Sequence, residues 1–510
     1  MHKLLRLTFA ISLSLAAGQL QAGAQPAALA QPSASPSTGP ITPASVPPSP
    51  SPSPAQTKIV QPIKIYPLPG GLDARPMLNS NSPELVNDAG ILISTLPNQG
   101  KTDSPFLDYA FEGDFGAFCH HIFKDANPGE RLLYLGLVAS NLSAKPVRLT
   151  LTQGASYLSQ PDALFKPLAD ILPNPAGEIY AGPGDRVATE LLAGTLPLKD
   201  IVIEIPPGAS RVVSSQPINT DVAILPPING RSTLMHFHSD GPVYLSELAW
   251  LAQHNGEQFV PPTLEDYHSL LDAGKFAGVH EKTSLYTDTT PPTGPFFYGR
   301  VAGVSQGLSW QGKLWEGSRA TERPAPGQKI GYPIATTYIK RFGTGQNQSG
   351  KMPRRYPDTP PENHGNYAVD YELEIPLHND TKEFQSYSLA LSQPLNPNLP
   401  ADKPAEMVYM FPPNAAVMFR GSVRLRWVDE YKQLQDRLSH LVLRNGQEGS
   451  AFELITVPPR THYDLKLSLV YPPDSTPPHL LTIERLDEQE QLGLGPGKPG
   501  CLGKDKANLC

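Results

Sequence analysis

Between residues 132 and 158 the chain reads LLYLGLVASNLSAKPVRLTLTQGASYL. Leu133, Leu135, Leu137 and Ala139 alternate with Tyr134, Gly136, Val138 and Ser140, and Val147, Leu149 and Leu151 alternate with Arg148, Thr150 and Thr152. Successive side chains of a strand point to opposite faces, so a period of two predicts two half-buried strands. Residues 141–146 supply the polar turn between them, with Pro146 where no ladder N–H is needed. The same grammar returns at 201–205 before Pro206-Pro207-Gly208, at 233–238, and at 243–250 after a Ser-Asp-Gly-Pro turn.

A second block repeats it. Tyr367, Val369, Tyr371, Leu373 and Ile375 alternate with Ala368, Asp370, Glu372 and Glu374; an Asn379-led turn follows, and 385–393 returns as a strand. This echoes the 132–158 pair. Val423, Leu425 and Trp427 alternate with Arg424 and Arg426, and Asn445-Gly446 marks a hairpin. Residues 452–457 with Pro458-Pro459 repeat the earlier strand and double-proline turn. Only two helices are predicted. Asp185 caps one through Leu192, stopped by Gly194; Thr263 to Asp266 forms a capping box for another, ending at Ala273 before Gly274.

The pattern predicts a mostly β chain: two antiparallel β-sandwich (immunoglobulin-like) domains at 63–253 and 349–488, with few short helices. Residues 254–348, with a helix and strand-like runs at 296–304 and 329–339, read as an irregular connector. The chain has 58 Pro and 42 Gly in 510 residues and only 17% charged residues, which suits turns and strands over helices. A net charge of −7 argues against a nucleic-acid partner.

The ends add a location. Lys3 and Arg6 precede an apolar run at 7–18, and a small-residue cleavage site follows, either Ala22-Gly23-Ala24 or Ala28-Leu29-Ala30. Residues 1–24 read as an export signal. Residues 25–62, with PSASPSTGP and PPSPSPSPAQ, form a Pro/Ser-rich disordered linker. No later run is long and apolar enough for a transmembrane segment. The expectation is an exported protein of the periplasm or cell surface. Residues 489–510 read as a flexible tail in which Cys501 and Cys510 could close a disulfide; Cys119 reads as a small buried residue.

NSNSPELV, ASYLSQPDA, YAGPGDRV, PPINGRSTLM, RVAGVSQG, RYPDT, HGNYAV, FRGSVRLRW and YPPDSTPP together resemble a family of cyanobacterial exported proteins known only as a domain of unknown function. The resemblance implies an exported envelope protein. It implies no activity, cofactor or catalytic residue.

The chemistry candidates are few. Gly303-Val304-Ser305-Gln306-Gly307 matches a hydrolase nucleophile elbow, but no helix start follows, so a loop between strands is expected. His236 and His238 share a strand face and could share a metal. Asp370, Glu372 and Glu374 form an acidic ladder opposite in sign to Arg420, Arg424 and Arg426, and cross-strand ion pairing between the two is expected. Lys340, Arg341, Lys351, Arg354 and Arg355, with Tyr356 beside them, make a candidate binding patch for an anionic polysaccharide. Ala181 to Gly184 could cradle an anion at a helix start. The best functional expectation is a non-enzymatic envelope protein, without cofactor, binding wall polysaccharide or an envelope protein partner. The alternatives are an exported polysaccharide hydrolase, resting on the acidic ladder, and a periplasmic metal-binding protein using His236 and His238.

Overall fold

The computed structural model describes residues 55–101, 104–220, 227–256, 258–287, 289–315, 323–400 and 406–487. The export signal, most of the Pro/Ser tract, Cys501 and Cys510 lie outside them. The two opening strands form as Leu132–Ser140 and Val147–Leu158. They do not pair with each other. Leu132–Ser140 pairs with Ser210–Ile218, while Val147–Leu158 pairs with Leu198–Ile205. The Asn141 turn is therefore an arch that carries the chain between two ladders, not the end of a hairpin.

The first strand is also buried on both faces, against the half-buried expectation. The helix Leu264–Ala273 covers its outer side, and its Tyr267 lies against Gly136, Val138 and Leu248. This helix has the predicted capping box: the Thr263 side chain accepts from Asp266 N, the Asp266 side chain accepts from Thr263 N, and Gly274 ends it in the left-handed conformation.

The two runs around Ser-Asp-Gly-Pro are one strand of 25 residues, Ile228–Ala252. Its first part pairs with Phe111–Lys124 and Val147–Leu158; after a register shift between Ser239 and Val243 it pairs with Leu132–Ser140 and Gly90–Ser94. The turn residues thus bend a strand that changes partners. Ten strands join around it in one sheet. An apolar cluster including Phe111, Phe115, Leu137, Leu149, Met235 and Leu245 draws on both of its arms.

The C-terminal strands make a seven-stranded and a five-stranded sheet that share one core, in which Trp310, Tyr332, Tyr371, Leu389, Trp427 and Leu467 meet. Asn445-Gly446 does not close a hairpin, because Leu434–Arg444 pairs with Val417–Val428 and Ala451–Val457 pairs with Gln385–Ser392. The hairpin turn is at Asp429, whose carboxylate accepts from Tyr431 N and Gln433 N.

The architecture is mostly β with two helices among the described residues, but it is not purely antiparallel. Ser309–Lys313 runs parallel to Asp370–Asn379, Gln328–Ile334 to Lys64–Ile65, and Pro76–Ser80 to Phe111–Lys124. Residues far apart in sequence supply these pairs, which is how parallel neighbours arise. Residues 254–348 serve both sides: Ala302–Gln306 joins the ten-stranded sheet, whereas Ser309–Lys313 joins the seven-stranded one. Ile171–Pro173 adds an edge strand to the seven-stranded sheet, and Arg354–Arg355 one to the ten-stranded sheet. Thr57–Pro62, inside the stretch read as linker, pairs with Glu406–Phe411; its Thr-Lys-Ile-Val run favours a strand. The described residues fall within a single unit of contacts. Among the described residues no helix is long and apolar enough to cross a membrane.

The helix Pro183–Ala193 locks the two sides together. Asp185 in its first turn accepts from Ala181 N and Thr189 Oγ1, and its carboxylate lies 2.7 Å from His440 Nε2, both side chains fully buried. Gly182 precedes the helix with φ 110°; Asp185 is not its cap, as the sequence suggested, but a first-turn acid.

Candidate functional site

Beside that helix a cleft of about 750 Å³ opens between the ten-stranded sheet and the loop at 473–477. This lies within the roughly 300–1,000 Å³ of small-molecule sites, which favour such junctions. The start of strand Ile228–Ala252 and its neighbour Phe111–Lys124 form one wall. Leu164 and Phe165, both about half exposed, add an apolar lip.

One charged cluster in the cleft is internally paired. Arg300 Nη2 lies 2.5 Å from Glu84 Oε1, and His120 Nε2 is 3.5 Å from the same oxygen. Burial would raise the Glu84 pKa, but hydrogen bonds and charge from His120 and Arg300 win and hold it at about 2.

Two other cations line the cleft. Lys340 Nζ sits 5.2 Å from the Tyr298 ring centroid and donates to Pro477 O at 3.3 Å. Arg420 has its guanidinium 5.3 Å from the Phe165 ring centroid. Among the described residues neither has a carboxylate within 4.0 Å. Burial lowers the pKa of both, and for Arg420 Asp474 and Asp185 pull weakly the other way. Cations over aromatic faces at these distances are stabilised by the ring quadrupole, yet keep their capacity for an anion.

Asp474 occupies the helix start at which the 181–184 segment is expected to cradle an anion. Its Oδ2 accepts from Asp185 N at 2.9 Å, so the chain's own carboxylate fills the anion cradle. A Cβ on Gly182 would stand 2.4 Å from that oxygen, so only glycine admits the approach. Burial raises the Asp474 pKa against the help of His120 and this N–H.

At the far side His364 lies among Tyr286, Phe296 and Tyr298. Its Nε2 is 3.1 Å from Tyr286 Oη, and burial lowers its pKa to about 4, so it is a neutral hydrogen-bonding group near pH 7. Every stretch that carries the family resemblance except RYPDT places at least one residue in this cleft, from Glu84 of NSNSPELV to Asp474 of YPPDSTPP.

The other sequence candidates are scattered. Of the basic patch, Lys340 alone lines the cleft. Arg341 donates to Gly345 O and stacks over Tyr338; Lys351 is paired with Glu362 at 2.9 Å. Arg354 and Arg355 form the edge strand beside Gly303 and Val304. Tyr356 is buried in the first core, donating to Pro105 O and accepting from Ser94 N. His236 is held by Gln153 at 2.9 Å, and burial with nearby Arg75 lowers its pKa to about 4; His238 is exposed beside Asp114 at 2.7 Å. No group of three or more His, Cys, Asp or Glu among the described residues is spaced to hold a metal ion. Cys119 is 2% exposed. Ser305 of the elbow-like motif is buried within a strand rather than in a loop, and another strand follows Gly307. The acidic and basic ladders do not face each other, because strand Thr461–Val470 lies between them. Arg424 pairs instead with Asp436 at 2.7 Å.

Among curated proteins no sequence relative matches the chain. Solved structures overlap it only loosely. An anti-sigma factor domain-containing protein aligns at 9% identity over 82% of this chain and 98% of its own, with a TM-score of 0.13. The CBM22-1-CBM22-2 tandem domain of Paenibacillus barcinonensis Xyn10C aligns at 10% identity over 79% and 99%, with a TM-score of 0.15. Procruciferin, an 11S globulin of Brassica napus, aligns at 9% identity over 79% and 84%, with a TM-score of 0.09. Scores this low carry no argument about fold or function. A family model matches residues 63–485, and the chain belongs to that family, described as protein of unknown function (DUF3370).

Proposed function

We propose that this chain is an exported, non-enzymatic envelope protein that binds an acidic wall glycan in the cleft between its ten-stranded sheet and its C-terminal sheets. In this reading the two sides are two-layer, immunoglobulin-like β-sandwiches, and the Pro/Ser tract holds them away from the membrane or wall. The observation that carries the proposal is the pair Lys340 and Arg420, two part-buried cations in one cleft with no carboxylate within 4.0 Å among the described residues. Keeping an uncompensated cation out of water is costly, and an anionic ligand offsets that cost. Leu164 and Phe165, about half exposed at the lip, offer apolar surface against which a sugar ring can pack. Glu84 and Asp474 do not repel such a ligand strongly, since each is engaged by the protein itself.

The test is co-sedimentation of the full chain with isolated wall polysaccharide, with released sugar assayed in the supernatant. The expected result is binding without release, reduced at least tenfold in K340Q/R420Q. Undiminished binding by that variant sinks the cleft as the site.

A hydrolase reading has one observation in its favour. Asp370 has a buried Oδ1 without a partner, and burial, then Glu372, raise its pKa to about 6, as a general acid requires. Sugar released by the chain and not by D370N would replace the binding reading with this one.

A further inference from the structure

The outer face of the seven-stranded sheet carries a second concavity, of about 760 Å³. Gln311, Lys313, Glu372, Glu374, Arg426 and Lys466 supply most of its polar wall, and among the described residues no aromatic side chain lines it. It owes its character to register. Lys466 stands directly opposite Glu374 on one neighbouring strand and opposite Arg426 on the other; Arg426 in turn stands opposite Asp436.

Simple cross-strand pairing would neutralise this row, but both carboxylates are drawn away. Glu374 reaches outward to Lys313 at 3.5 Å. Asp436 accepts from Arg424 Nε and Nη2, at 2.9 and 2.7 Å. Lys466 and Arg426 are left face to face, and among the described residues neither has a carboxylate within 4.0 Å. Arg426 Nε is shielded from solvent and has no acceptor. Like charges directly opposite on adjacent strands destabilise a sheet. A shielded guanidinium N–H without an acceptor adds to that cost.

We propose that this groove is an oxyanion site, separate from the cleft, in which Arg426 and Lys466 clamp the carboxylate or sulfate of an acidic saccharide. The guanidinium offers the anion parallel donors, and the ammonium adds a point charge. Ser468, in line with Lys466 along the same strand face, adds a hydroxyl. Gln311 and Glu372, whose side chains meet at 3.3 Å, are placed for sugar hydroxyls. Glu372 and Glu374 also disfavour a ligand with several charges on one sugar, so the groove selects anionic groups spaced one to a sugar on a hydroxyl-rich scaffold. An apolar ligand finds no ring to pack on. If the cleft takes the same polymer, the two sites hold one chain at two points, and avidity rises without any new contact.

The experiment is calorimetric titration of the full chain with tri-galacturonic acid, with inorganic sulfate alone and with the neutral maltotriose, comparing R426Q/K466Q and K340Q/R420Q. The expected result is a uronate site lost or weakened at least tenfold in R426Q/K466Q and retained in K340Q/R420Q, with no maltotriose binding. Unchanged uronate stoichiometry and affinity in R426Q/K466Q overturns the groove as an anion site. Sulfate binding as tightly as the trisaccharide overturns the saccharide part, and maltotriose binding as tightly overturns the need for the anion. Loss of the site only in K340Q/R420Q would support the cleft and refute the groove, so the two readings fail separately. Should the double variant not fold, K466Q alone and the rise in melting temperature with added sulfate decide the matter: the rise is expected in the parent and expected to shrink in K466Q, and an equal rise in both refutes the site.

Discussion

Asn141 and Asn379 hold the same turn in two different places. The Nδ2 group of Asn141 donates to Lys145 O, Ile205 O and Pro206 O at 2.7, 2.9 and 3.2 Å; that of Asn379 donates to Glu383 O, Val457 O and Pro458 O at 2.7, 2.9 and 3.0 Å. Their Oδ1 atoms accept from Ser143 and Thr381, through backbone N–H and hydroxyl alike. The strands around them correspond as well, each arch being closed by a later strand ending in a double-proline turn. The two segments share one local design, in which a single amide ties an arch to the double-proline turn.

Replacing either asparagine with alanine leaves three carbonyls short of a donor. The expected cost is about 2–3 kcal/mol at each site, and similar at both. Asn379→Asp should be no better, because a carboxylate cannot donate. Urea midpoints at constant slope measure this. An unchanged midpoint for Asn379→Ala would show that the amide is not the lock.

Glu84 predicts an acid-side dependence. Its folded pKa of about 2 lies below the ordinary 4.5, so its contribution is fully present above 4.5 and disappears as pH falls through about 2. The size is on the order of 3 kcal/mol. Thermal unfolding of Glu84→Gln should converge with that of the parent chain across that window; a constant gap would refute the coupling to Arg300 and His120.

Asp370 predicts the opposite sign. The folded chain keeps its proton up to about pH 6 while the unfolded chain loses it near 3.8, so stability falls as pH rises between these values. Asp370→Asn should flatten that slope and gain on the order of 2–3 kcal/mol at pH 7. A slope that survives the substitution would assign it to another group.

Gly136 predicts a steric effect. A Cβ there would lie 2.1 Å from Tyr267 Cζ, whose ring is pinned by a 2.7 Å hydroxyl contact to Ser215. Gly136→Ala should cost about 1–3 kcal/mol through overpacking, and less in a Tyr267→Ala background. Additive melting shifts would show that the two do not touch.

Local features are legible in the sequence. The Thr263 capping box, the Asn-led turns and the alternation of 147–152 each depend on residues a few positions apart. The double burial of 132–140 is not legible in its alternation, because a period of two does not reveal what covers the second face. Gly136 and Val138 on the supposed polar face are the available signal. The cleft is illegible for a different reason. Glu84 meets Arg300 across 216 residues and Asp185 meets Asp474 across 289, and no local pattern encodes such pairs. Lys340 stands out in the sequence by its charge; Arg420 falls there in a ladder that the intervening strand dissolves.

The buried contact between Asp185 and His440 spans 255 residues. At synthesis rates of 5–20 residues per second, roughly 10–50 s separate the emergence of the two. For that interval the helix has a carboxylate held only by its local partners Ala181 N and Thr189, and the seven-stranded sheet that Ile171–Pro173 borders does not yet exist. Completion of the native state is therefore postponed until the whole chain is available. Under the export proposed above, that delay keeps the chain threadable until its last strands are made.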